Sequence, residues 1–367
     1  MIKKIVIDAR ESGTSTGRYV DKLIEYLHKL ESDYDITVLT KAPRLEFMKT
    51  IAPNFEVVES NFKEFTFSEQ IGLLKQLNSL KADLVHFGIT QQPVLYQGKA
   101  VTTIHDLTTV RFTNPTKNWL VFKLKQQVYK WVIRQVAKKS EAIIVPSEYV
   151  KQDVAQFTKV SPDKITVTYE AGDKITIAAK VVGALDNKRF IMYVGRAQLH
   201  KNLNRLAKAL EILQSEYPDL RLVLVGKIYA NYSLLKKYVA KKAIKNVFFA
   251  GYVSDGELRW LYENTAAYVF PSLSEGFGLP ALEAMAHGAP VISSKATCLP
   301  EIYGDAALYF DPKDIKDMAQ KIKIVLDSPK VADKLRAAGP EQAAKYSWKT
   351  TAEQTVALYR KVLDDNN

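Results

Sequence analysis

The sequence of 367 residues predicts an α/β protein made of two Rossmann-like domains that face each other across a cleft. Three observations predict this fold. Short β-branched runs alternate with longer amphipathic stretches, which indicates parallel sheets covered by helices on both faces. The alternation restarts near Arg189, after a weakly patterned stretch from Gly172 to Lys188. The length suits two domains better than one.

The first half of the chain supplies seven candidate strands and the second half six. In the first domain, residues 1–172, they are KIVIDA, DITVLT, FEVVE, DLVHF, AVTTIHD, EAIIVPS and KITVTY. In the second domain, residues 187–346, they are RFIMYVG, LRLVLVG, NVFFAG, AAYVFPS, APVISS and AALYF. The stretches between them, such as GRYVDKLIEYLHKL, have helical periodicity. We expect the last amphipathic stretch, residues 347–367, to pack back on the first domain.

Composition narrows the class of protein. Charged residues make up 25% and hydrophobic residues 47% of the chain, which is ordinary for a globular protein, and no apolar run has the length of a membrane helix. The first apolar run ends at Asp8, so it predicts a strand rather than a signal peptide. Cys298 is the only cysteine, which fits a reducing, cytoplasmic location. The net charge of +12 suggests an anionic partner: nucleic acid, membrane lipid or a phosphorylated ligand.

The turns that follow strands are the expected places for ligand-binding residues, because ligands of open parallel sheets bind beyond the carboxyl ends of the strands. In YVGRAQLHKN, a strand ends at Val194, Gly195 permits a tight turn, and a helix starts near Asn202. Arg196 and Lys201 flank this turn. A glycine turn, two cations and a helix N-terminus together suit a phosphate or diphosphate. Two solvated surface cations are the alternative interpretation.

The stretch SEGFGLPALEAMAHG places two glutamates around a glycine-rich turn. Gly276 and Gly278 let the backbone pass close to a ligand, and a helix is expected to begin near Pro280. The free amides of that helix start favour an anion. Glu275 before the turn and Glu283 after it can accept hydrogen bonds from hydroxyls. The pattern therefore suits a nucleotide sugar, whereas a capped surface helix with two solvated acids is the alternative.

These motifs resemble the signature of the retaining glycosyltransferases of family 4. EGFGLPALEAMAHGAPVI carries the Glu-x7-Glu pattern of that family, and Gly195-Arg196 with Lys201-Asn202 resembles its donor-phosphate element. GRY, TIHD and LPEIYGDAALYFDP resemble the mannosyltransferase-B-like branch, which builds lipopolysaccharides and polysaccharides. Two features depart from the pattern: the first-loop glycines in ESGTSTGRY are spaced apart, and Glu170 stands where asparagine is common. The resemblance spans nearly the whole chain and implies the GT-B fold.

The resemblance also implies the site residues. Arg196 and Lys201 would bind the donor diphosphate, and Glu275 would contact hydroxyls of the donor sugar. His105, at the end of a strand, would point at the sugar, although a buried, hydrogen-bonded histidine is the alternative. The other implied donor-binding residues are Gly13, Gly17 and Gly195, the backbone of Gly276, Phe277, Gly278 and Leu279, Glu283 at the ribose, and Tyr252 and Val253 near the base.

The implied function is transfer of a hexose, with retention, from a nucleoside-diphosphate sugar to a glycan or lipid-linked acceptor. No metal or other cofactor is expected, because two cations and a helix start face the leaving phosphate, and the one Asp-x-Asp, Asp33-Tyr34-Asp35, precedes a strand. A nucleotide-sugar epimerase of the same fold is the alternative. An oxidoreductase is disfavoured because the first loop lacks Gly-x-Gly-x-x-Gly, and nucleic-acid binding because no recognition motif accompanies the charge.

A basic segment, Leu107–Ser140, holds eight Lys and Arg and no acid. It is expected to be helical, with one apolar stripe and one basic side. The stripe consists of Val121, Leu124, Val128, Val132 and Val136, and the basic side of Lys123, Lys130, Arg134 and Lys138. Two interpretations stay open: either the stripe packs on its sheet and the basic side is solvated, or the basic side lies on an anionic membrane that holds a lipid-linked acceptor.

Overall fold

The computed structural model describes residues 2–14, 16–30, 32–113 and 118–364 of the chain. The chain divides into two compact units. The first comprises Met1–Val110, Lys123–Glu170 and Ser347–Asn367, and the second comprises Arg111–Phe122 and Ala171–Tyr346. Each unit contains one parallel sheet with helices, so the predicted α/β class is confirmed.

The described strands of the first unit form one parallel sheet. They are β1 (Lys4–Asp8), β2 (Asp35–Thr40), β3 (Glu56–Glu59), β4 (Leu84–Phe87), β5 (Ala100–Thr103), β6 (Ala142–Val145) and β7 (Ile165–Val167). Their order across the sheet is β3-β2-β1-β4-β5-β6-β7. The central strands β4, β5 and β6 are buried along their whole length, as expected for strands that are covered by helices on both faces.

The described strands of the second unit form a second parallel sheet. They are β8 (Phe190–Val194), β9 (Arg221–Val225), β10 (Val247–Gly251), β11 (Ala267–Phe270), β12 (Val291–Ser294) and β13 (Ala307–Phe310). Their order is β10-β9-β8-β11-β12-β13. The strands β11 and β12 are fully buried and rich in β-branched and aromatic residues, which suit a pleated interior surface.

The helices lie between and after these strands. They are α1 (Gly17–Lys29), α2 (Leu45–Ile51), α3 (Leu74–Leu80), α4 (Thr108–Arg111), α5 (Trp119–Lys139), α6 (Glu148–Thr158), α7 (Leu203–Leu213), α8 (Ala230–Lys241), α9 (Asp255–Asn264), α10 (Leu279–Ala286), α11 (Leu299–Tyr303), α12 (Ile315–Asp327), α13 (Pro329–Ala343) and α14 (Trp348–Asp364). Capping residues fix several starts; Ser254 and Glu257 form a reciprocal capping box at α9. In the described part of the chain, none of the helices is long and apolar enough to cross a membrane.

The last helix, α14, belongs to the first unit although the second unit precedes it in the chain. It packs against α1. The Thr351 hydroxyl donates to the Tyr169 carbonyl oxygen at 2.5 Å, and the Lys99 ammonium donates to the Val362 carbonyl oxygen at 3.1 Å. These bonds attach both ends of α14 to the first unit.

Both sheets have the doubly wound strand order. The order reverses between β1 and β4 in the first sheet and between β8 and β11 in the second. Ligands of such sheets bind outside the carboxyl ends of the strands at the point of reversal. The turns after β8 and β11 contain Arg196, Lys201 and Glu275, and Glu283 lies on the helix α10 that follows the second turn.

Candidate active site

The turn after β8 begins at Gly195, whose φ of +142° is unfavourable for other residues. Its N–H donates to the Val225 carbonyl oxygen at 2.9 Å, and its carbonyl oxygen accepts from the Tyr232 hydroxyl at 2.9 Å. A β-carbon at position 195 would lie 2.7 Å from the Tyr193 hydroxyl oxygen. Backbone conformation and lack of space therefore both require glycine here.

Arg196 follows on the same turn with an exposed side chain. Its carbonyl oxygen accepts from the Tyr193 hydroxyl at 3.2 Å, and its guanidinium lies 5.5 Å from the centre of the Tyr229 ring. Burial raises the pKa of the Tyr193 phenol well above its usual range, so this hydroxyl stays a neutral donor. Among the described residues, no carboxylate forms a salt bridge with Arg196. The backbone of Arg196 is held while its cationic group can meet an anion.

Lys201 and Glu275 form an ion pair between the turns that follow β8 and β11. The ammonium nitrogen of Lys201 lies 2.6 Å from one carboxylate oxygen of Glu275 and 2.8 Å from the other. The two side chains are only 17% and 11% exposed. The Leu273 N–H donates to the His200 carbonyl oxygen at 2.7 Å, and the Glu275 N–H donates to the Thr297 hydroxyl oxygen at 3.1 Å. Both charged groups therefore have fixed orientations at the switch point of the second sheet.

The N-terminus of α10 lies just beyond this ion pair in the chain. Gly278 precedes the helix with a φ of +95°, and its carbonyl oxygen accepts from the Tyr303 hydroxyl at 2.7 Å. Pro280 occupies the first turn, and in the described residues no side chain caps the helix. Pro280 has no N–H and the Ala281 N–H donates to the Gly278 carbonyl oxygen at 3.2 Å, so the start of α10 favours an anion chiefly through the helix dipole. The other predicted loop residues are the buried Gly276 and Phe277 and the half-buried Leu279.

Glu283 is half-buried on α10, one turn from its start. The Tyr262 hydroxyl donates to its carboxylate at 3.4 Å. His287 holds the same helix turn, because its Nδ1 donates to the Glu283 carbonyl oxygen at 2.8 Å while its Nε2 accepts from the Ile175 N–H at 3.0 Å. His287 is thus a structural residue, and the contact of Glu283 with a ribose stays a prediction.

Tyr252 and Val253, the predicted base contacts, directly follow β10. Tyr252 is 75% exposed, and the Lys227 ammonium lies 5.9 Å from its ring centre. The Gly226 N–H donates to the Gly251 carbonyl oxygen at 2.8 Å, which joins the turns after β9 and β10. Because the strand order is β10-β9-β8, these residues lie at the same sheet edge as Arg196.

His105 lies just after β5 in the first unit. Its Nε2 donates to the Gly88 carbonyl oxygen at 3.1 Å, and its Nδ1 lies 3.1 Å from a carboxylate oxygen of Glu170. Burial alone would lower the pKa of His105, but the hydrogen bond and the charge of Glu170 outweigh it and raise the pKa above 6.5. The imidazolium form donates from both ring nitrogens. A contact of His105 with the sugar stays a prediction.

The first loop of the first unit depends on its two predicted glycines. Gly13 has a φ of +78°, and its N–H donates to the Asp21 carboxylate at 3.3 Å. A β-carbon at Gly17 would lie 1.8 Å from the Glu11 carbonyl oxygen, so no other residue fits without moving the loop. The Arg44 side chain also donates to the Ser12 hydroxyl oxygen at 2.8 Å. These contacts hold Ser12 and Gly13 in place, and a contact of Gly13 or Gly17 with the donor stays a prediction.

Two family models match the chain. The model described as Glycosyltransferase Family 4 matches residues 16–173, and the model described as Glycosyl transferases group 1 matches residues 175–342. Between them they cover most of the chain. The chain belongs to the glycosyltransferases of family 4.

Relatives of this glycosyltransferase include two mannosyltransferases. It is 29% identical to O-antigen chain mannosyltransferase B of Escherichia coli over 275 residues, and this alignment covers 71% of this chain and 70% of the relative. It is 25% identical over 331 residues to an O-antigen chain mannosyltransferase of Salmonella typhimurium, which covers 87% of this chain and 89% of the relative. Both relatives agree with the mannosyltransferase-B-like branch that the motifs indicate.

Solved structures share the fold of the glycosyltransferase. Sucrose-phosphate synthase of Thermosynechococcus elongatus has a TM-score of 0.77 at 19% identity, covering 99% of this chain and 100% of that chain. HepE of Anabaena in complex with UDP-glucose has a TM-score of 0.76 at 16% identity, covering 98% of this chain and 99% of that chain. These likenesses confirm the predicted GT-B fold.

The predicted absence of a metal site concerns Asp33 and Asp35. In the glycosyltransferase, Asp33 lies in the turn before β2 and Asp35 is the first residue of that strand. Within the described ranges, His, Cys, Asp and Glu form no group of three or more that could hold a metal ion. Metal independence of the reaction itself stays a prediction.

The structure corrects the expected orientation of α5. Val121, Leu124 and Val128 were expected to pack on the sheet, but they are 53%, 69% and 54% exposed. At the other end of the predicted stripe Val132 is half-buried and Val136 is buried, as expected, and the helix packs there together with Tyr129, Ile133 and Ala137. Ile133 and Ala137 belong to the same buried cluster as Ile143 and Val145 of β6. The Tyr129 hydroxyl oxygen lies 3.0 Å from the hydroxyl oxygen of Thr90.

The predicted basic side of α5 is largely accessible to solvent. Lys123, Arg134 and Lys138 are exposed, and Lys130 is half-buried. The Arg134 guanidinium lies 4.5 Å from the centre of the Phe157 ring. Their contact with a membrane stays a prediction.

Three buried groups were not singled out by the sequence: two tyrosines behind the candidate site and an arginine in the first unit. Tyr193 and Tyr303 hold the backbone at Arg196 and Gly278, in the turns after β8 and β11, from within the second unit. Arg10 lies near the end of β1 and is 1% exposed; it binds both carboxylate oxygens of Asp8 at 2.8 Å and one of Glu69 at 3.1 Å. An arginine two residues after the aspartate that ends the first strand was a usable signal in the sequence, whereas Glu69, 59 residues away, was not.

Proposed function

We propose that this glycosyltransferase moves a hexose from a nucleoside-diphosphate sugar to a glycan or lipid-linked acceptor, with retention and without a metal ion. One observation carries the proposal: Arg196, the Lys201–Glu275 ion pair and the start of α10 lie on the turns at the switch point of the second sheet. The crystal structure of HepE with UDP-glucose supports a nucleotide sugar as the donor.

The chemistry of transfer fits these groups. When the bond between the anomeric carbon and the diphosphate oxygen breaks, positive charge grows on the sugar and negative charge on the leaving phosphate. Arg196 and Lys201 would stabilise the negative charge, as fixed donors do in other enzymes. Glu275 would accept hydrogen bonds from sugar hydroxyls.

The proton balance needs no separate base. The acceptor oxygen bonds to the anomeric carbon on the face that the phosphate leaves, which retains the configuration. The acceptor proton passes to the departing phosphate oxygen, so the products are the glycoside and the nucleoside diphosphate. Because Arg196 and Lys201 already meet the leaving charge, a metal ion is not required for this role.

The sugar and the acceptor follow from the relatives. Both named relatives are O-antigen chain mannosyltransferases, so we propose mannose as the first sugar to test and a growing polysaccharide as the acceptor. A lipid-linked acceptor would be met at an anionic membrane surface on the cytoplasmic side. The single cysteine, the buried Cys298, fits that reducing compartment.

A screen of UDP-, GDP- and ADP-sugars by thermal shift, followed by donor hydrolysis on the hits, tests the donor. We expect one class of nucleotide sugar to raise the melting temperature and to be hydrolysed equally with and without EDTA. Proton NMR of the glycoside reports whether the anomeric configuration is retained. An epimerised sugar formed without acceptor would favour the epimerase instead, and a lack of stabilisation by every nucleotide sugar would contradict the proposal.

A further inference from the structure

The helix α5 carries a row of exposed apolar side chains, here called the α5 stripe. Its members are Leu120, Leu124, Val128 and Trp131, which are 68%, 69%, 54% and 52% exposed. Spacings of four, four and three residues place them along one face of the helix. Leu124 and the fully buried Ile133 are nine residues apart, which is half a turn out of phase at about 100° per residue. The stripe therefore points away from the core.

Basic residues border the α5 stripe on both sides. Lys123 and Lys130 lie along one margin and Lys125 along the other, as the helical period requires. From Trp119 to Lys139 the helix contains no Asp or Glu. An apolar face with basic margins is the pattern of helices that lie in the plane of a membrane interface, with lysine stems extending towards the headgroups.

A loop of the first unit also exposes apolar side chains near α5. The Phe65 ring lies 5.7 Å from the ring of Tyr129 on α5, and Phe65 and Phe67 are 59% and 88% exposed. Single exposed apolar residues are ordinary, but a contiguous patch marks an interaction surface. Tyr129 is buried and lies about 140° around the helix from Leu124, so the loop is separate from the α5 stripe, whose four neighbouring side chains are themselves the contiguous patch.

We propose that α5 lies in the plane of an anionic bilayer, with the α5 stripe inserted at the headgroup boundary and Lys123, Lys125 and Lys130 on anionic lipid headgroups. The first unit then meets its lipid-linked acceptor at that surface. The proposal rests on the proposed function for the nature of the acceptor. Binding to the membrane, however, needs neither donor nor acceptor and is measured separately.

Charge distinguishes a membrane from other occupants. A second copy docked on the stripe would bring basic margins against basic margins, because α5 has no acid. Nucleic acid would complement the lysines but leave leucine and valine without an apolar partner. An anionic bilayer satisfies both features, and α5 lies on it rather than across it because no described helix meets the length and hydropathy of a membrane span.

Flotation of the full chain with vesicles tests the proposal. We expect binding to mixed phosphatidylglycerol–phosphatidylcholine vesicles and little binding to phosphatidylcholine alone. Leu124→Glu should weaken binding about tenfold or more, because it places a charge in the inserted face. Leu234→Glu on α8 is the matched control: Leu234 is also helical and 45% exposed, and binding should stay within about twofold.

Other outcomes separate the alternatives. Replacing Lys123 and Lys130 with Gln should also weaken binding, whereas an effect of this pair without any effect of Leu124→Glu would overturn insertion. Absence of wild-type binding at low salt would overturn the whole proposal, as would an α5-dependent dimer in light scattering or tighter retention on single-stranded DNA than on vesicles. Donor hydrolysis by Leu124→Glu should equal that of the wild type, so a failure of this proposal is distinct from a failure of the proposed donor chemistry.

Discussion

The two sheets have the same doubly wound order, but the arginines at their switch points differ in environment. After β1, Arg10 is buried and binds Asp8 and Glu69. After β8, Arg196 is exposed, and in the part of the chain that the structure describes no carboxylate forms a salt bridge with it. The first arginine is neutralised inside the unit, whereas the second can meet an external anion.

The strand order therefore determines where a ligand can bind, and the charged neighbours of the arginine determine whether it is available to bind an anion there. A cation whose hydrogen bonds are all satisfied by the protein stabilises the fold, and one with free capacity can bind a leaving phosphate. The comparison predicts that loss of Arg10 affects stability and that loss of Arg196 affects turnover.

Arg10→Ala should have the largest effect on stability. It leaves two buried carboxylates without their cation, which typically costs about 3–5 kcal/mol in the free energy of unfolding. Urea denaturation measures this loss. The loss should shrink as the pH falls, because burial raises the pKa of Glu69, the guanidinium no longer opposes that rise, and protonation removes an unpaired buried charge.

The control for Arg10 is an exposed pair in the same unit. Lys3 and Asp83 are 52% and 36% exposed at the side chain, and their nitrogen and oxygen lie 3.2 Å apart. Lys3→Ala should change the free energy of unfolding by less than about 1 kcal/mol. Equal losses for the two variants would mean that burial does not distinguish Arg10.

Arg196→Ala should reduce turnover about 100-fold or more, because it removes a fixed donor to the leaving phosphate. Its free energy of unfolding should stay within about 0.5 kcal/mol of the wild type, since the side chain is exposed. Steady-state kinetics with the donor found by thermal shift measures turnover. The control is Arg336→Ala on α13, an exposed arginine paired with Asp333 within the helix, which should leave turnover unchanged. Nearly full activity of Arg196→Ala would remove this residue from the proposed mechanism.

Local patterns predicted the fold and the turns after β8 and β11 well. Alternation of strands and helices predicted both parallel sheets, and glycine placement predicted the turns at Gly195 and Gly278, where positive φ excludes most side chains. The ion pair between Lys201 and Glu275 was not predicted, because 74 residues separate them and only the adjacency of β8 and β11 brings them together.

The orientation of α5 could not be predicted from periodicity alone. Two apolar faces compete on this helix, one with Leu124 and Val128 and one with Ile133 and Ala137. Periodicity shows that each face exists but not which one meets the sheet, because that depends on the shape of the partner surface. The pairing of Glu170 with His105 could not be predicted either, because 65 residues separate them and only the fold brings them together.

Glu170→Gln tests whether internal pairing in the first unit extends to His105. The pKa of His105 is raised above 6.5, so its pairing with Glu170 stabilises the fold fully below that pH and ceases to do so as the pH rises through the raised pKa. The variant should lose about 1.5 kcal/mol in the free energy of unfolding at acidic pH, typical of a hydrogen bond to a charged group, and less at alkaline pH. Urea denaturation across this range measures the difference, and NMR should show a lower His105 pKa. A loss independent of pH would mean that the charge of His105 is not involved.

Tyr303→Phe should have the smallest effect on activity. It tests whether a buried hydrogen bond in the second unit holds the turn before α10, as buried ion pairs hold Arg10 in the first unit. The phenol is fully buried, and its hydroxyl donates to the Gly278 carbonyl oxygen at 2.7 Å before α10. Loss of that hydrogen bond should cost about 1 kcal/mol in the free energy of unfolding. Because the bond fixes the turn rather than the ligand, the KM for the donor should rise a few-fold at most. Tyr309→Phe is the matched control. Its hydroxyl donates to the Gly304 carbonyl oxygen at 2.7 Å, and Gly304 is not part of the turn before α10. A similar loss of stability with an unchanged KM is expected there, and an equal rise in KM in both variants would show that Gly278 has no special link to donor binding.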